Sequence, residues 1–337
     1  MIHTELKSKI NEDICMMASP VNHPYSYLFD CGKASLLNIS DVMRTKVVCV
    51  THTHVDHFVN FDAILRNRAG SRDPLIICGP KGIQRNVQGK LHAYTWNLIG
   101  RNGSYFEVRE ILDPETYKVY RLSPPHWKLR PVGIQRGSKI FEHDQIFINY
   151  CILDHKIPSI AYRLCEENHL NIGKFDYKPG PWIESLKQAY RQKRGEMEIQ
   201  IDGKTMPASD LFSLLKERNG YKVGYAMDHL GGGENHRLLK DFFYEIDELY
   251  IESFFRQVDW DYARRHHHST AYLSGKLARE ARVKTLHLVH HSRRYLGELR
   301  DLLEEGRAAY EGREPKFQKP VVSRYDESSE VKDQTIH

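Results

Sequence analysis

The sequence predicts an α/β fold in which buried strands are covered by helices. Three observations predict it. Apolar, β-rich runs recur along the chain, and most are nearly continuous rather than alternating, as expected of strands covered on both faces. Segments with apolar residues at helical spacing lie between several of them. The length, 337 residues, suits one large α/β domain or two modest ones with ample core.

In chain order the predicted strands are SYLFDCG (26–32), KVVCVTH (46–52), PLIICGP (74–80), QIFINYCILDH (145–155), YKVGYAMDH (221–229), ELYIESFF (248–255) and KTLHLVHH (284–291). HSTAYLSGKLAREARV predicts a helix with Ser269 as its N-cap, feeding directly into the last strand. Sheets flanked by helices follow. The stretch from about Cys165 to Asp210 reads differently. It is rich in Gly, Pro and charge, has no long core strand, and predicts an insertion projecting from the main body. The C-terminal tail, 311–337, is polar and Pro-containing, and predicts disorder or loose attachment.

Composition narrows the setting. Lys+Arg number 49 against 44 Asp+Glu, a formal net charge of +5. This mild excess permits a nucleic-acid partner without arguing for one. The six cysteines form no CxxC pair, and Cys49 and Cys78 sit inside apolar runs, so buried free thiols in a reducing compartment are expected. The first fifteen residues lack the apolar core of a secretory signal. No apolar stretch approaches the roughly 18 residues that span a bilayer. A soluble cytoplasmic protein without a membrane partner is the expectation.

VVCVTHTHVDHF, from Val47 to Phe58, carries the chemistry. His52 and His54 are two apart, so in an extended chain they point the same way and can reach one ion together. Asp56 and His57 follow after the chain turns and could serve a second ion. A carboxylate with imidazoles suits zinc, with a position left open for water. The competing reading is a His-rich surface loop, which the position directly after a buried strand disfavours.

His52-x-His54-x-Asp56-His57 resembles the signature of the metallo-β-lactamase fold. The resemblance implies a four-layer αββα sandwich carrying two metals between its sheets, two Zn2+ per chain, with Mn2+ or another divalent ion as a substitute. It implies further ligands at later strand ends. His155 ends QIFINYCILDH and would complete one site with His52 and His54. His290 ends KTLHLVH and would complete the other with Asp56 and His57. Asp228 ends YKVGYAMD and would bridge them. A lone histidine after a strand is usually structural; the ordered set is the stronger signal.

LFDCG, CGPKGI, HKIPSIAY, HHHSTAYLSGKLA and LVHHSRRY narrow the match to ribonuclease Z, over roughly residues 25–300. That family cuts the 3′ trailer from precursor tRNA. The resemblance implies that Asp56 orients the nucleophile while ligating an ion. It makes His268, in His268-Ser269-Thr270, the catalytic acid or charge-stabilising donor, supported by Glu252. It places Ser292 and Arg294, in a Ser-x-Arg-Tyr element, among the substrate-binding residues. The insertion holds Pro179-Gly180-Pro181 and then Lys187, Arg191, Lys193 and Arg194, with Trp182 and Tyr190 interleaved. The family carries a flexible tRNA-clamping arm there, and basic and aromatic side chains suit RNA; the plain reading is a solvated helix behind a proline turn.

The implied layout is a catalytic domain over 1–310 with an inserted flexible arm at 166–210, then the tail. The implied assembly is a homodimer whose arm serves the partner's site. Departures leave the substrate open. The family's N-terminal Gly-Thr-Gly loop is missing, Ile251 stands where a His is usual, Ser253-Phe254 replace Ala-Thr, His229 replaces a Thr after Asp228, and Ala161-Tyr162 replace Gly-Tyr. Precursor tRNA is the first expectation. A cyclic nucleotide or other small phosphodiester is the second, and a non-enzymatic RNA-binding protein with a vestigial metal site the third. His229, His287 and His291 are expected as structural or outer-sphere residues, and His266 and His267 as solvent-facing. Gly231-Gly232-Gly233 reads equally as a phosphate-approaching backbone or a plain flexible loop.

Overall fold

The computed structural model describes residues 1–71, 73–100 and 104–314, so nearly all of the predicted tail lies outside the described residues. One sheet has eight strands in chain order: β1 (Ile2–Leu6), β2 (Met16–Pro20), β3 (Ser26–Phe29), β4 (Thr45–Cys49), β5 (Leu75–Gly79), β6 (Phe106–Asp113), β7 (Thr116–Leu122) and β8 (Arg130–Arg136). The chain continues through β9 (Lys139–His143), β10 (Ile146–Asp154) and β11 (Pro158–Glu166). It makes a lobe with β12 (His169–Ile172), β13 (Glu198–Ile201), β14 (Lys204–Pro207) and β15 (Leu215–Arg218), and returns as β16 (Lys222–Ala226), β17 (Glu248–Glu252) and β18 (Thr285–Val289). The second large sheet runs β18-β17-β16-β11-β10-β9.

The continuous apolar runs have a simple cause. Alternate residues of each strand face two different cores. Phe29, Val47, Cys49, Ile76 and Cys78 of the first sheet meet Ile148, Tyr150, Ile160, Tyr162 and Tyr225 of the second between the sheets. Val48, Val50 and Ile77 point outward, against Phe61, Ile64, Ile83 and Val87 of helices Phe61–Arg68 and Ile83–His92. Ala161, Leu249 and Ile251 point outward from the other sheet, against Leu239, Leu277 and Ala278 of helices Gly233–Phe242 and Ala271–Glu280. The result is helix, sheet, sheet, helix: a four-layer αββα sandwich.

All seven predicted strand runs are strands, namely β3, β4, β5, β10, β16, β17 and β18. The predicted helix Ala271–Glu280 is capped one residue later than expected, by Thr270, whose hydroxyl accepts the Leu273 N–H at 3.2 Å. Ser269 is committed elsewhere: its N–H donates to Glu252 and its hydroxyl lies 3.1 Å from Ser274 Oγ. The six cysteines are free, and Cys49 and Cys78 are buried. Among the described residues no helix is long and apolar enough to cross a membrane.

β16, β17 and β18 run parallel, and β10 is antiparallel to β11, which is antiparallel to β16. The carboxyl ends of β10, β16, β17 and β18 therefore share one edge. Two bonds bring the end of β4 to it across the sandwich: the Ile160 N–H donates to Thr51 O at 2.9 Å, and the Tyr162 hydroxyl donates to Val50 O at 2.8 Å.

The insertion leaves between β11 and β16, hence from the opposite edge. It folds around a core of its own, with Trp182, Leu186 and Ala189 of helix Trp182–Arg191 against Ile199, Ile201 and Leu211. It extends to Arg218, beyond the expected boundary at 210, because β15 pairs with β12. Trp182 does not present its ring outward. It is buried, edge-on to Phe175 and Tyr177, with its Nε1–H on Lys178 O at 2.8 Å. Tyr190 stays 39% exposed.

Helices Ala271–Glu280 and Leu299–Glu311 touch through two glycines. A Cβ on Gly275 would lie 2.0 Å from the Gly306 carbonyl oxygen. Gly275→Ala should therefore cost ~1–3 kcal/mol by overpacking. Urea unfolding would read this as a lowered midpoint at unchanged slope; an unchanged midpoint would show that the helices separate freely.

Candidate metal centre

The sequence-predicted ligands follow strand ends, and at two of them the backbone turns sharply. Asp228 follows β16 with φ 42° and His290 follows β18 with φ 55°, both in the left-handed region that L residues seldom occupy. The turns swing the side chains back over the sheet edge. His52 and His54 extend from β4, and the short helix Val55–Phe58 carries Asp56 and His57 back towards them.

The structure brings all seven together. Ligand atoms of His52, His54, His155 and Asp228 lie within 4.8 Å of one another, as do those of Asp56, His57 and His290. Asp228 joins the groups. Its Oδ2 is 3.5 Å from Nε2 of both His52 and His155, while its Oδ1 is 3.5 Å from His57 Nε2 and 3.0 Å from His290 Nδ1. Asp56 Oδ2 is 3.6 Å from His57 Nε2 and 3.5 Å from His290 Nε2.

The donor set fits metal ions. His52 Nε2 and His57 Nε2 are buried with no hydrogen-bond partner among the described residues, and the 3.0 Å approach of His290 Nδ1 to Asp228 Oδ1 lacks hydrogen-bond geometry. Buried polar atoms without partners are rare and costly. The far sides of three rings are all occupied. His57 Nδ1 donates to Asp30 Oδ2 at 2.8 Å, His52 Nδ1 lies 3.1 Å from Thr51 Oγ1, and His155 Nδ1 donates to the His267 carbonyl at 2.6 Å. Each contact puts the proton on Nδ1 and leaves the Nε2 lone pair facing the cluster, as metal-ligating histidines require.

Electrostatics agree. Burial drives the His52 pKa down to about 2, helped by the neighbouring His57. Burial also opposes charge on His57, but Asp228 and Asp30 outweigh it and hold that pKa well above the ordinary value. His290 is likewise penalised by burial, yet Asp228 raises it to about 9. Burial would raise the Asp228 carboxyl, but His290 and His57 keep it well below the usual range. Without cations, protons balance the buried carboxylate; ions of higher charge would displace them.

Beside this cluster His268 Nδ1 donates to Glu252 Oε2 at 2.9 Å, and its ring stacks on Phe254 at 4.0 Å. Glu252 is fully buried and also accepts the His229 N–H at 2.7 Å and the Ser269 N–H at 3.2 Å. Burial would lift its pKa, but His268 and His229 bring it to about 2. Burial penalises charge on His268 too; Glu252 outweighs that and raises its pKa. The ring can therefore hold a proton on Nε2, towards the metal cluster.

The other predicted residues divide. Ser292 is half-buried, with its N–H on Phe254 O at 3.1 Å. Arg294 stacks its guanidinium 4.5 Å from the Tyr262 ring centre. Ser292 lines a cleft of about 490 Å³ with Asp56, Phe254, His290 and residues 8–14. Pro179, Gly180, Pro181, Lys187, Arg191, Lys193 and Arg194 lie in the lobe, at the far edge. Arg191 is 3.6 Å from Glu184 and Arg194 is 3.8 Å from Glu196, while Lys193 is exposed. His291 pairs with Ser253 Oγ at 2.9 Å, and His287 stacks on Tyr250. His267 differs from the solvent-facing expectation, with its side chain only 23% exposed, and its carbonyl orients His155. Gly231 passes so close to Ser269 that a Cβ would sit 2.9 Å from its hydroxyl, and Gly232 (φ 79°) caps helix Gly233–Phe242.

The comparisons bear on this geometry. No family model matches the chain. A ribonuclease Z of Deinococcus radiodurans is 27% identical over 302 residues, 84% of this chain and 87% of the relative. The crystal structure of the metallo-β-lactamase-fold protein YhfI from Bacillus subtilis superposes with a TM-score of 0.56 at 14% identity, covering 94% of this chain and 98% of that one. Human tRNase Z, short form, gives 0.51 at 18% identity, covering 87% and 94%. The chain is a metallo-β-lactamase-fold hydrolase resembling ribonuclease Z. Its hydrolysis is metal-dependent, and the clustered His and Asp side chains are the groups able to hold the metal.

Sequence reasoning missed Asp30. It is fully buried after β3, accepts from Thr51 N (2.7 Å), Thr51 Oγ1 (3.0 Å), the Tyr225 hydroxyl (3.0 Å) and His57, and so links the first sheet, the second sheet and a candidate ligand. The only signal was its place in LFDCG. Asp30→Asn keeps the volume but loses the charge behind His57. Metal affinity should fall ~10–100-fold, read by competition with a chromophoric chelator; unchanged affinity would show that Asp30 serves the fold alone.

Proposed function

We propose that the protein is a zinc-dependent phosphodiesterase: a cytoplasmic, homodimeric endoribonuclease that removes the 3′ trailer of precursor tRNA. The observation that carries this reading is Asp228, with one carboxylate oxygen facing each donor cluster and His268 at their margin. Two ions held by His52, His54 and His155, by Asp56, His57 and His290, and by Asp228 between them would supply Lewis acidity to a phosphoryl oxygen and to an attacking water. The chain's own groups do the rest. Asp56 accepts a hydrogen bond from that water and directs it at phosphorus. His268 gives its Nε2 proton to the departing ribose oxygen as the P–O bond breaks, and Glu252 stabilises the imidazolium beforehand and restores its orientation afterwards. Ser292, in the adjoining cleft, and Arg294, stacked on Tyr262, contact the RNA backbone.

The lobe supports an RNA substrate. Its helix buries Trp182, Leu186 and Ala189, and Arg191 at the helix end, with Lys193 and Arg194 just beyond it, is exposed. Because it leaves from the edge opposite the metal cluster, it suits a dimer in which each lobe holds RNA for the partner's site. One observation favours a second reading, hydrolysis of a cyclic nucleotide or other small diester. The cleft beside His290 holds about 490 Å³ and mixes Glu12 and Asp13 with Lys9 and Arg293, the last paired with Asp13 at 3.4 Å, so it offers no continuous basic track for a long polyanion.

Metal-loaded protein incubated in parallel with precursor tRNA and with 2′,3′- and 3′,5′-cyclic nucleotides decides between the two. Cleavage of tRNA is expected; turnover of cyclic substrates with tRNA untouched would install the second reading. In the same assay His268→Ala should lose ~10²–10⁴-fold in rate while keeping its metal by mass spectrometry. Loss of metal would make His268 a ligand instead.

Replacing Lys187, Arg191, Lys193 and Arg194 together by Ala tests the lobe. Each lost phosphate contact should flatten the log–log salt dependence of tRNA binding by about 0.7–0.9, and processing should fall through weaker binding. Hydrolysis of bis(p-nitrophenyl) phosphate should persist. Parental processing of tRNA would refute the clamp.

A further inference from the structure

We propose that His23, His143 and Asp144 form a separate structural site for a divalent transition-metal ion, zinc or copper in class, at the root of the lobe. Ligand atoms of the three residues lie within 4.8 Å of one another. They come from two sheets. His23 sits in the turn between β2 and β3, while His143 and Asp144 close the hairpin between β9 and β10. These turns lie at the edge opposite the catalytic cluster, since β3 and β10 both start there and run towards it.

The chemistry of the three side chains fits such an ion. Two imidazoles and one carboxylate are borderline donors, and water can fill the remaining positions. His23 Nε2 is buried and has no hydrogen-bond partner among the described residues. His143 Nδ1 is 3.1 Å from Asp144 Oδ2, and the His23 and His143 rings stand perpendicular with centroids 6.3 Å apart. Tyr25, Tyr27 and Phe141 wall the site on its inner side. His143 and Asp144 keep 41% and 65% of their side chains exposed, which leaves a path of entry. The Tyr25 N–H approaches His23 Nδ1 at 3.3 Å, a long contact. Turning the Nε2 lone pair to an ion gives up that weak bond alone. Nearby Lys46 is held over the Tyr25 ring at 4.8 Å.

An ion here would clip the two sheets together where the lobe begins. Gln145, in the same hairpin turn, accepts the Glu167 N–H at 2.7 Å, and Glu167 is the first residue after β11. Bracing this turn fixes the stem from which the lobe projects. The site is half-open and has three protein donors, so it should hold metal more weakly than the buried cluster.

The test is a zinc titration of the metal-free, full-length protein against a chromophoric chelator. Variants His23→Ala, His143→Ala and Asp144→Asn are compared with the parent, with Asp228→Ala, which removes the carboxylate common to both halves of the buried cluster, and with His52→Ala, which removes a donor of one half. The parent should take up one weak equivalent that each of the first three variants lacks and that the cluster variants retain. Zinc should also raise the unfolding midpoint of Asp228→Ala, by an increment that shrinks once His23→Ala is added. A parent without tight equivalents would overturn the buried cluster, whereas a weak equivalent missing only from His23→Ala, His143→Ala and Asp144→Asn would still establish this site. If His23→Ala, His143→Ala and Asp144→Asn all bind as many equivalents as the parent, the site does not exist.

Discussion

A buried carboxylate that cannot stand alone organises this molecule. Asp228 is 2% exposed, and its two oxygens lie 3.0–3.5 Å from the rings of His52, His57, His155 and His290. An uncompensated charge at such a depth costs several kcal/mol. Four imidazoles from three separate chain segments must therefore converge on it, and this fixes which strand ends share an edge. The parallel run of β16 to β18 and the reversal through β11 are the topology that delivers them.

Converging rings must also be aimed. The protein does this from behind, through Asp30 on His57, Thr51 on His52 and the His267 carbonyl on His155. Asp30 serves twice, because the Tyr225 hydroxyl reaches it from the opposite sheet. The same contact that orients a candidate ligand therefore locks the two sheets in register. Tyr162, bonded to Val50 O, adds a second tie one layer deeper. Glu252 repeats the arrangement for His268, with two backbone N–H groups and an imidazole converging on one buried carboxylate. The lobe stands apart from this economy. Its core is its own, so its basic surface can vary without disturbing the cluster.

Much of the fold was legible because strands buried on both faces read as continuous apolar runs, and all seven such runs are strands. Two of the strands that escaped notice carry weaker signals. In β6 buried Phe106, Val108 and Glu110 alternate with half-buried Glu107 and Arg109, and β8 is exposed along nearly its whole length. The N-cap of helix Ala271–Glu280 was misplaced by one residue because Ser269 and Thr270 are equivalent as caps in sequence. Only the buried demand of Glu252 for the Ser269 N–H separates them. Trp182 read as an exposed aromatic among basic residues, yet it anchors the lobe core, since its partners Ile199, Ile201 and Leu211 lie far along the chain.

By itself the sequence determined the donor types and their order: His-x-His-x-Asp-His after one buried strand, then His, Asp and His after three more. It did so because strand burial and two-residue periodicity are local properties of the chain. Tertiary structure alone decided which oxygen of Asp228 faces which ring, that Asp30 and the His267 carbonyl stand behind the imidazoles, and that the lobe leaves from the far edge. Those relations join residues tens to hundreds of positions apart. They depend on how two sheets pack face to face, which no local pattern encodes.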